Sequence, residues 1–354
     1  MSIINKPVIS DETDPVAFIV EEPRTEDVAL IRRFGGAISH AVLDPAFRIF
    51  RVPAIPGLIG FRKAHGHAVV LGDPVCDPSD QASLAEAFLG YTKANDLSAV
   101  FAVSSRALVD MFRQRGGGVM EFGELLIGNP QNDPEAGSRG GHLRTSVRFP
   151  QRQGVSIREY RGDEPVDSDL ERRIMQASSA WRGAREGFQM HIGSHHFFRN
   201  RRGCRWFVAE HEGVVVGVLS ILAIQDAGCS WLIDLVFSTP GAPTHTNALL
   251  IVTAFKALRQ EGVDAVCLGV APAKGLGDIS GFSRIKVWLG RGFYALATRL
   301  VPQQGKTFFW KKFGIVRREP LYLLFAEPKV SFSTFRALLD TFNFSSRIEA
   351  EDEV

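Results

Sequence analysis

The residue of this chain best placed to do chemistry is an acid in an apolar run. Asp234 lies within Cys229-Ser-Trp-Leu-Ile-Asp-Leu-Val-Phe237, a short segment rich in β-branched and aromatic residues that reads as a strand. A carboxylate buried there without a partner would cost several kcal/mol, so it must be solvated, hydrogen-bonded or paired. An acid held this way can grip a substrate ammonium or take a proton from an attacking hydroxyl or amine. A carboxylate that merely satisfies backbone donors is the plainer alternative.

Two basic stretches are the next candidates. Arg144, Arg148 and Arg152 recur every four residues in a segment that reads as a helix, Leu143 to Gln153. On a helix that spacing makes one stripe. Arg284 to Arg318 contains nine basic residues and no acid, and its part Lys306-Thr-Phe-Phe-Trp-Lys-Lys-Phe313 interleaves lysines with aromatics. Such blocks attract phosphate, from nucleic acid or from lipid headgroups. A half-buried helix with snorkelling lysines would look the same. His65, His67, His191, His195 and His196 show no third ligand at metal spacing, so no metal site is expected. No Gly-x-Ser-x-Gly elbow offers a serine nucleophile. Cys76, Cys204, Cys229 and Cys267 lack Cys-x-x-Cys spacing, and three of them fall in strands, which points to free thiols in a reducing compartment.

These groups need elements to hold them. Cys204 to Glu210, Val214 to Ile224 and Cys229 to Phe237 read as a three-strand meander. Asn247 to Gln260 places Leu250, Ala254, Ala257 and Leu258 on one helix face and stops at Glu261-Gly262. Val263 to Val270 is then a buried strand. Strand, strand, strand, helix, strand is the core of an acyltransferase of the GNAT type, in which the third strand and the last one diverge around the reactive groups. Asp234 sits on the near side of that gap, and Leu268-Gly269-Val270-Ala271-Pro272 on the far side. A plain strand exit would explain the Gly and Pro equally well.

The first half repeats the order. Strands are predicted at Phe47–Val52, Leu58–Lys63 and Ala68–Leu71, a helix at Ser79–Asn95, a strand at Ala99–Val103, a helix at Ser105–Arg115 and a strand at Val119–Ile127. A helix over Thr25–Phe34 precedes them. The Gly/Asn/Pro/Asp-rich stretch Gly128–Gly141 reads as a linker, and Asp167–Trp181 as the amphipathic helix opening the second half. Arg284–Leu300 is predicted helical and Leu321–Ala326 a closing strand. A chain of 354 residues suits two domains. The expected fold is α/β: two tandem GNAT-like domains at 16–137 and 138–330, each a mixed, mostly antiparallel sheet flanked by helices, with a disordered tail at 1–15 and a helix and acidic tail at 331–354. A net charge of +2 and 45% hydrophobic residues are ordinary for a soluble protein. Neither a run long enough to span a membrane nor a signal peptide is evident, so a cytoplasmic enzyme is expected.

In that fold coenzyme A is usually cradled by backbone N–H groups of a Gly-rich loop before the helix. Here the loop is Ser238-Thr-Pro-Gly-Ala-Pro-Thr-His-Thr246, and Pro240 and Pro243 remove two donors. An acyl-CoA-dependent acyltransferase is therefore the second reading, and an inert tRNA- or membrane-binding module the third.

Several phrases together resemble the C-terminal synthase domain of bacterial phosphatidylglycerol lysyltransferases, over roughly Gly35 to Pro328. They are Leu71-Gly-Asp-Pro74, Gly123-Glu124, Leu143-Arg144, Trp181 with Glu186-Gly-Phe188, Asp234-Leu235, Leu268-Gly-Val-Ala-Pro272, Gln304-Gly305, Lys312-Phe313 and Leu321-Tyr-Leu323. The resemblance implies transfer of an aminoacyl group from aminoacyl-tRNA, as co-substrate in place of any cofactor, to an acceptor hydroxyl. The acceptor is phosphatidylglycerol in the best-known members and a small molecule in related enzymes, as in the seryl transfer of valanimycin biosynthesis. It further implies Asp234 as the catalytic group and a substrate pocket at Glu124, Glu186, Phe188, Phe237, Leu268, Gly269 and Ala271. The RNA phosphates would dock on Arg144, Arg148, Arg152, Lys306, Lys311, Lys312 and Arg317, with peripheral membrane contact for a lipid acceptor. The chain departs from the family at Val236-Phe237, where Met-Arg is frequent, at Ala248 and Leu125, where acids are frequent, and at Trp310, where a lysine is. The family's membrane-spanning half has no counterpart in the sequence.

Overall fold

The computed structural model describes residues 18–138, 140–184, 197–198, 201–226, 228–273, 275–284, 287–288, 291, 294 and 309–342. Glu186, Phe188, Lys306, most of the helix predicted at 284–300 and both chain tails lie outside them.

The first half is a meander of β2 (Arg48–Val52), β3 (Ile55–Ala64) and β4 (His67–Leu71), edged by β1 (Ile19–Glu21). Helix α2 (Gln81–Ala94) crosses to β5 (Ser98–Ser104), which pairs parallel with β4. Then α3 (Val109–Gln114) leads to β6 (Gly118–Gly128). The apolar spacing of α2 has a plain consequence. Leu84, Phe88 and Tyr91 are buried and meet Phe50, Phe61 and Phe101 in an edge-to-face aromatic cluster.

The second half opens with α4 (Gly141–Arg152), β7 (Ser156–Arg161) and α5 (Ser168–Gly183). Asp167 caps α5 by accepting the Leu170 N–H at 3.0 Å. The meander β8 (Cys204–His211), β9 (Val214–Asp226) and β10 (Cys229–Ser238) follows, then α6 (Thr246–Gln260) and β11 (Val266–Pro272), parallel to β10. The predicted strand–strand–strand–helix–strand order is present in both halves. Strand alternation sorts the second core onto two faces. Phe207, Ala209, Leu219, Ile221, Ile233 and Leu268 pack under α4 and α6. Trp206, Val208, Val218 and Phe237 pack under α5.

One sheet runs through both halves in the order β1-β2-β3-β4-β5-β13-β6-β11-β10-β9-β8-β7, with β12 (Ile279–Ser280) paired to β6. Strand β13 (Ile315–Phe325) is the closing strand of the sequence reading, but it begins six residues earlier and inserts between β5 and β6 of the first half. Strand β6 in turn pairs with β11 of the second half. The final helix α7 (Phe332–Phe342) buries Ala337 and Phe342 in the first half's core. Helix α1 (Asp27–Phe34) does the reverse: Ile31 joins the cluster that holds Ile224 and Leu232 of the second half. The halves are therefore knit by exchanged elements, which hold the gap described below against a wall from the other half.

Candidate functional site

Strands β10 and β11 pair at only two positions, Trp231 with Val266 and Leu232 with Cys267. Beyond them each strand breaks register with its other neighbour. Strand β10 bulges between Ile233 and Leu235 against β9, and β11 shifts between Cys267 and Gly269 against β6. A bulge bends a strand and re-aims a side chain. Gly269 at φ +97° takes a conformation that a side chain would strain. Past Leu232 and Cys267 the two strands no longer pair, and this is where the sequence places the gap between Asp234 and Leu268-Gly269.

Asp234 sits at the bulge. Ser220 Oγ donates to its Oδ2 at 3.4 Å, and Ser220 lies between Val218 and Leu222 of the α5 face, so Asp234 turns toward that face too. Its side chain is exposed, yet desolvation by the surrounding protein pushes its carboxyl up to about 6. It is thus accessible to solvent while the neighbouring protein crowds it. Of the states open to it from the sequence, solvated, hydrogen-bonded or paired, Asp234 takes the first two. Behind it the Cys204 thiol is pushed up to about 12, by burial first and the Asp234 charge second.

The other predicted substrate residues that are described fall into two groups. Phe237, Leu268 and Ala271 are 1%, 3% and 1% exposed. Phe237 stacks on Trp181 at 5.0 Å, and the other two pack under α6. They shape the gap from behind and have no surface for a substrate, a correction that follows from strand alternation. Gly269 and Glu124 are accessible. Glu124 stands opposite Ala271 on β6 and is ion-paired to Arg318 of β13. Tyr294 hydroxyl bonds to the Phe122 and Ala273 carbonyls beside it.

The basic residues also divide. Arg144 is not free: it clamps the Glu135 and Gly137 carbonyls and so pins the loop before α4. Arg317 pairs with Glu319 at 3.0 Å. Arg148 and Arg152 are exposed on α4, without an ion-pair partner among the described residues. Lys311 and Lys312 are exposed while Trp310 and Phe313 beside them are buried in the α4–α6 core. Lys312 lies over the Phe309 ring at 4.5 Å, and partial burial lowers its pKa. The segment thus snorkels, and its two lysines and the α4 arginines share the α6 side of the sheet. Three N–H groups of the loop before α6 are spent internally: Thr239 on Val216, Ala242 on Thr239 and Thr246 on Pro243.

The family model described as phosphatidylglycerol lysyltransferase, C-terminal, matches residues 28–325. The chain belongs to this family. Two curated relatives are each named lysylphosphatidylglycerol biosynthesis bifunctional protein LysX. The one from Mycobacterium marinum is 26% identical and the one from Mycobacterium ulcerans 25%, over 58% of this chain. The match spans only 18% of either relative's length. Among solved structures, L-PGS from Bacillus licheniformis superposes with a TM-score of 0.73 at 22% identity, covering 91% of this chain and 98% of that one. The C-terminal domain of a lysylphosphatidylglycerol synthetase, so described as putative, from Agrobacterium fabrum gives 0.71 at 18% identity, covering 90% and 96%. These likenesses agree on the fold.

Sequence reasoning missed Ser220, Arg32 and His40. Ser220 carries no signal beyond being a polar residue in an apolar strand. The other two lie in the first half, on α1 and the turn after it, and reach the second only because α1 packs on β9.

Proposed function

We propose that this protein transfers an aminoacyl group from aminoacyl-tRNA to a hydroxyl of an acceptor, with phosphatidylglycerol or a similar polyol phospholipid as the acceptor class. One observation carries the reading: an accessible carboxylate without a cation partner among the described residues, raised to about 6, at the point where β10 and β11 part. Family membership supplies the reaction class, and the names of the relatives supply the lipid.

The chemistry needs little from the enzyme, because an aminoacyl ester is already activated. Positioning and charge placement supply the rate. At neutral pH Asp234 is mostly ionised, and among the described residues no cation pairs with it. The α-ammonium of the ester supplies one, which recovers part of the cost of desolvating the acid. Held there, the ester carbonyl lies in the gap, where the acceptor hydroxyl attacks directly. The hydroxyl proton leaves to Asp234 or to water, and the tRNA 3′-terminal hydroxyl departs. The RNA approaches from the α6 side, where Arg148, Arg152, Lys311 and Lys312 are free to meet phosphates.

An acyl-CoA donor fits less well. Pro240 and Pro243 lack N–H groups, and three further donors, of Thr239, Ala242 and Thr246, are spent on carbonyls. The deciding experiment incubates the protein with a mixture of charged tRNAs and total lipid, with acetyl-CoA in a parallel arm, and reads products by mass spectrometry. A lipid gaining the mass of an amino acid, in wild type and not in D234A, supports the proposal. Product only with acetyl-CoA, or undiminished product in D234A, sinks it.

A further inference from the structure

The α5 side of the gap carries a second cluster that the transfer reading does not use. Helix α1 is fixed at its start by the buried Asp27, which is ion-paired to Arg51 of β2 and accepts the Arg24 N–H at 2.9 Å. At its last turn Arg32 reaches over to the second half. Its guanidinium occupies the space in front of Gly203, where a Cβ would stand 3.2 Å from Nε, close to Ala223 of β9. Gly203 at φ +76° thus leaves room for an arginine from the other half.

Three features make this cluster unusual. Arg32 is half-buried, and burial is the main cause that lowers its pKa; Arg202 lowers it further. Among the described residues neither arginine has an ion-pair partner. With no carboxylate paired to either among the described residues, the two guanidiniums repel each other, and burial sharpens the repulsion. His40, in the turn Ser39–Leu43 after α1, adds a ring whose Nε2 is buried without a hydrogen-bond partner. Burial pushes that ring down to about 4, a bond with the Ala223 backbone opposing the shift and Arg32 adding to it, so it is neutral at pH 7. The ring thus has one bond, with the Ala223 backbone, and its Nε2 has no partner among the described residues; a hydroxyl would satisfy it as donor or acceptor.

The cluster is also at a useful distance. Ala223 pairs with Trp231, and Asp234 lies three residues further along β10, roughly 10 Å away at the rise of a strand. The Cys204 thiol between them feels both the Asp234 and the Arg32 charge. A glycerol esterified to phosphate, with its far hydroxyl attacking an ester whose ammonium sits on Asp234, spans about that distance.

We infer that Arg32, Arg202 and His40 form the acceptor subsite, the two guanidiniums holding the phosphodiester of a polyol headgroup and His40 Nε2 engaging a second hydroxyl of that headgroup. This deepens the proposed transfer and rests on it for the reaction, though not for the binding. It divides the substrates by face: RNA phosphates on the α6 side, the acceptor phosphate on the α5 side.

The test uses the full chain with dihexanoyl phosphatidylglycerol, a soluble short-chain lipid, and with sn-glycerol 3-phosphate. Equilibrium binding is followed by tryptophan fluorescence or calorimetry in wild type, R32Q, R32K and R202E. Loss of a charge-assisted phosphate contact should weaken binding of the lipid ~10- to 100-fold in R32Q, with partial recovery in R32K. In turnover the acceptor KM should rise by the same factor, while the KM for charged tRNA stays within about threefold. Equal weakening for glycerol 3-phosphate shows that the headgroup alone is recognised; weakening for the lipid only places the contact on a headgroup presented by its chains. Unchanged lipid binding in R32Q and R202E overturns the subsite, as does a rise confined to the KM for charged tRNA, which would make RNA phosphate the occupant. Should wild type show no transfer from any charged tRNA, the function fails, but lipid binding lost in R32Q still upholds the subsite. If R32Q does not fold, R202E, on an exposed turn, decides the matter.

Discussion

The two parallel strand pairs of this molecule, β4/β5 and β10/β11, share a topology and differ in how far they zip. The first pair is in register over five positions, from His67 with Ser98 to Leu71 with Ala102. Its end is then sewn shut: Gly72 N–H donates to the Ala102 carbonyl at 2.8 Å, Ser104 hydroxyl to the Gly72 carbonyl, and Ser105 N–H to the Asp73 carboxylate. The second pair stops after two positions. Asp73 and Asp234 stand at corresponding places, each just past its last paired strand residue. One spends its charge on a backbone donor; the other accepts a hydroxyl bond from Ser220 and has no ion-pair partner among the described residues. A shared fold therefore does not make a shared site, because the bulges of β10 and β11, not the strand order, decide where backbone pairing ends and room begins.

That contrast can be attacked directly. Converting Asp234 to alanine or asparagine should lower transfer by at least ~10²-fold, the scale of a lost acid–base or orienting group. Asp73→Ala should leave turnover near wild type and cost ~1–2 kcal/mol in denaturant unfolding, as the loss of a cap does. A large kinetic effect of Asp73→Ala would erase the distinction. Gly269→Ala probes the other lip. A methyl at φ +97° should cost about 1–3 kcal/mol of strain and reduce kcat as the gap reshapes, although its nearest neighbour, the Ile233 carbonyl, is 4.0 Å off.

The raised carboxyl has two signatures in pH. Transfer should decline as pH falls through about 6, because the protonated acid no longer attracts an ammonium. Stability moves the other way. The folded state holds this proton up to about 6 while the unfolded chain releases it near 4, so Asp234 favours unfolding increasingly as pH rises across that window. Asp234→Asn should remove this slope and raise Tm at neutral pH, by an amount on the order of 1 kcal/mol once access to solvent is discounted. An unchanged pH slope in that variant would deny the shift.

The smallest effects are expected on the α6 side. Arg148→Gln with Arg152→Gln should weaken tRNA binding several-fold and flatten its salt dependence by one to two units in the log–log slope, about 0.7–0.9 per phosphate contact. Arg144→Gln should instead loosen the loop it clamps and leave the slope alone. The stripe of three, so regular in sequence, would then resolve into two functional residues and one structural one.

Much of this was legible beforehand, for reasons that residues make plain. Leu84, Phe88 and Tyr91 announce α2 by their spacing, and Asp167 announces the start of α5. The Cys229–Phe237 run announces β10, because apolar periodicity reports burial on one face. Strand β7 gave no such signal: Ser-Ile-Arg-Glu-Tyr-Arg is half charged, and it becomes an edge strand by pairing with β8. The early start of β13 was hidden the same way, since Arg317 and Arg318 read as a phosphate-binding block until Glu319 and Glu124 neutralise them.

By itself the sequence determined the local elements, their order in each half and the acid at the heart of the second, because these depend on neighbours within one turn or one strand. Only the tertiary structure decided that β13 and α7 complete the first half, that α1 walls the second, and that Arg32 comes to stand before Gly203. Those contacts join residues well over a hundred positions apart, and their selection depends on which surfaces remain unburied once each half has formed. Nothing in the local pattern of either partner records that choice.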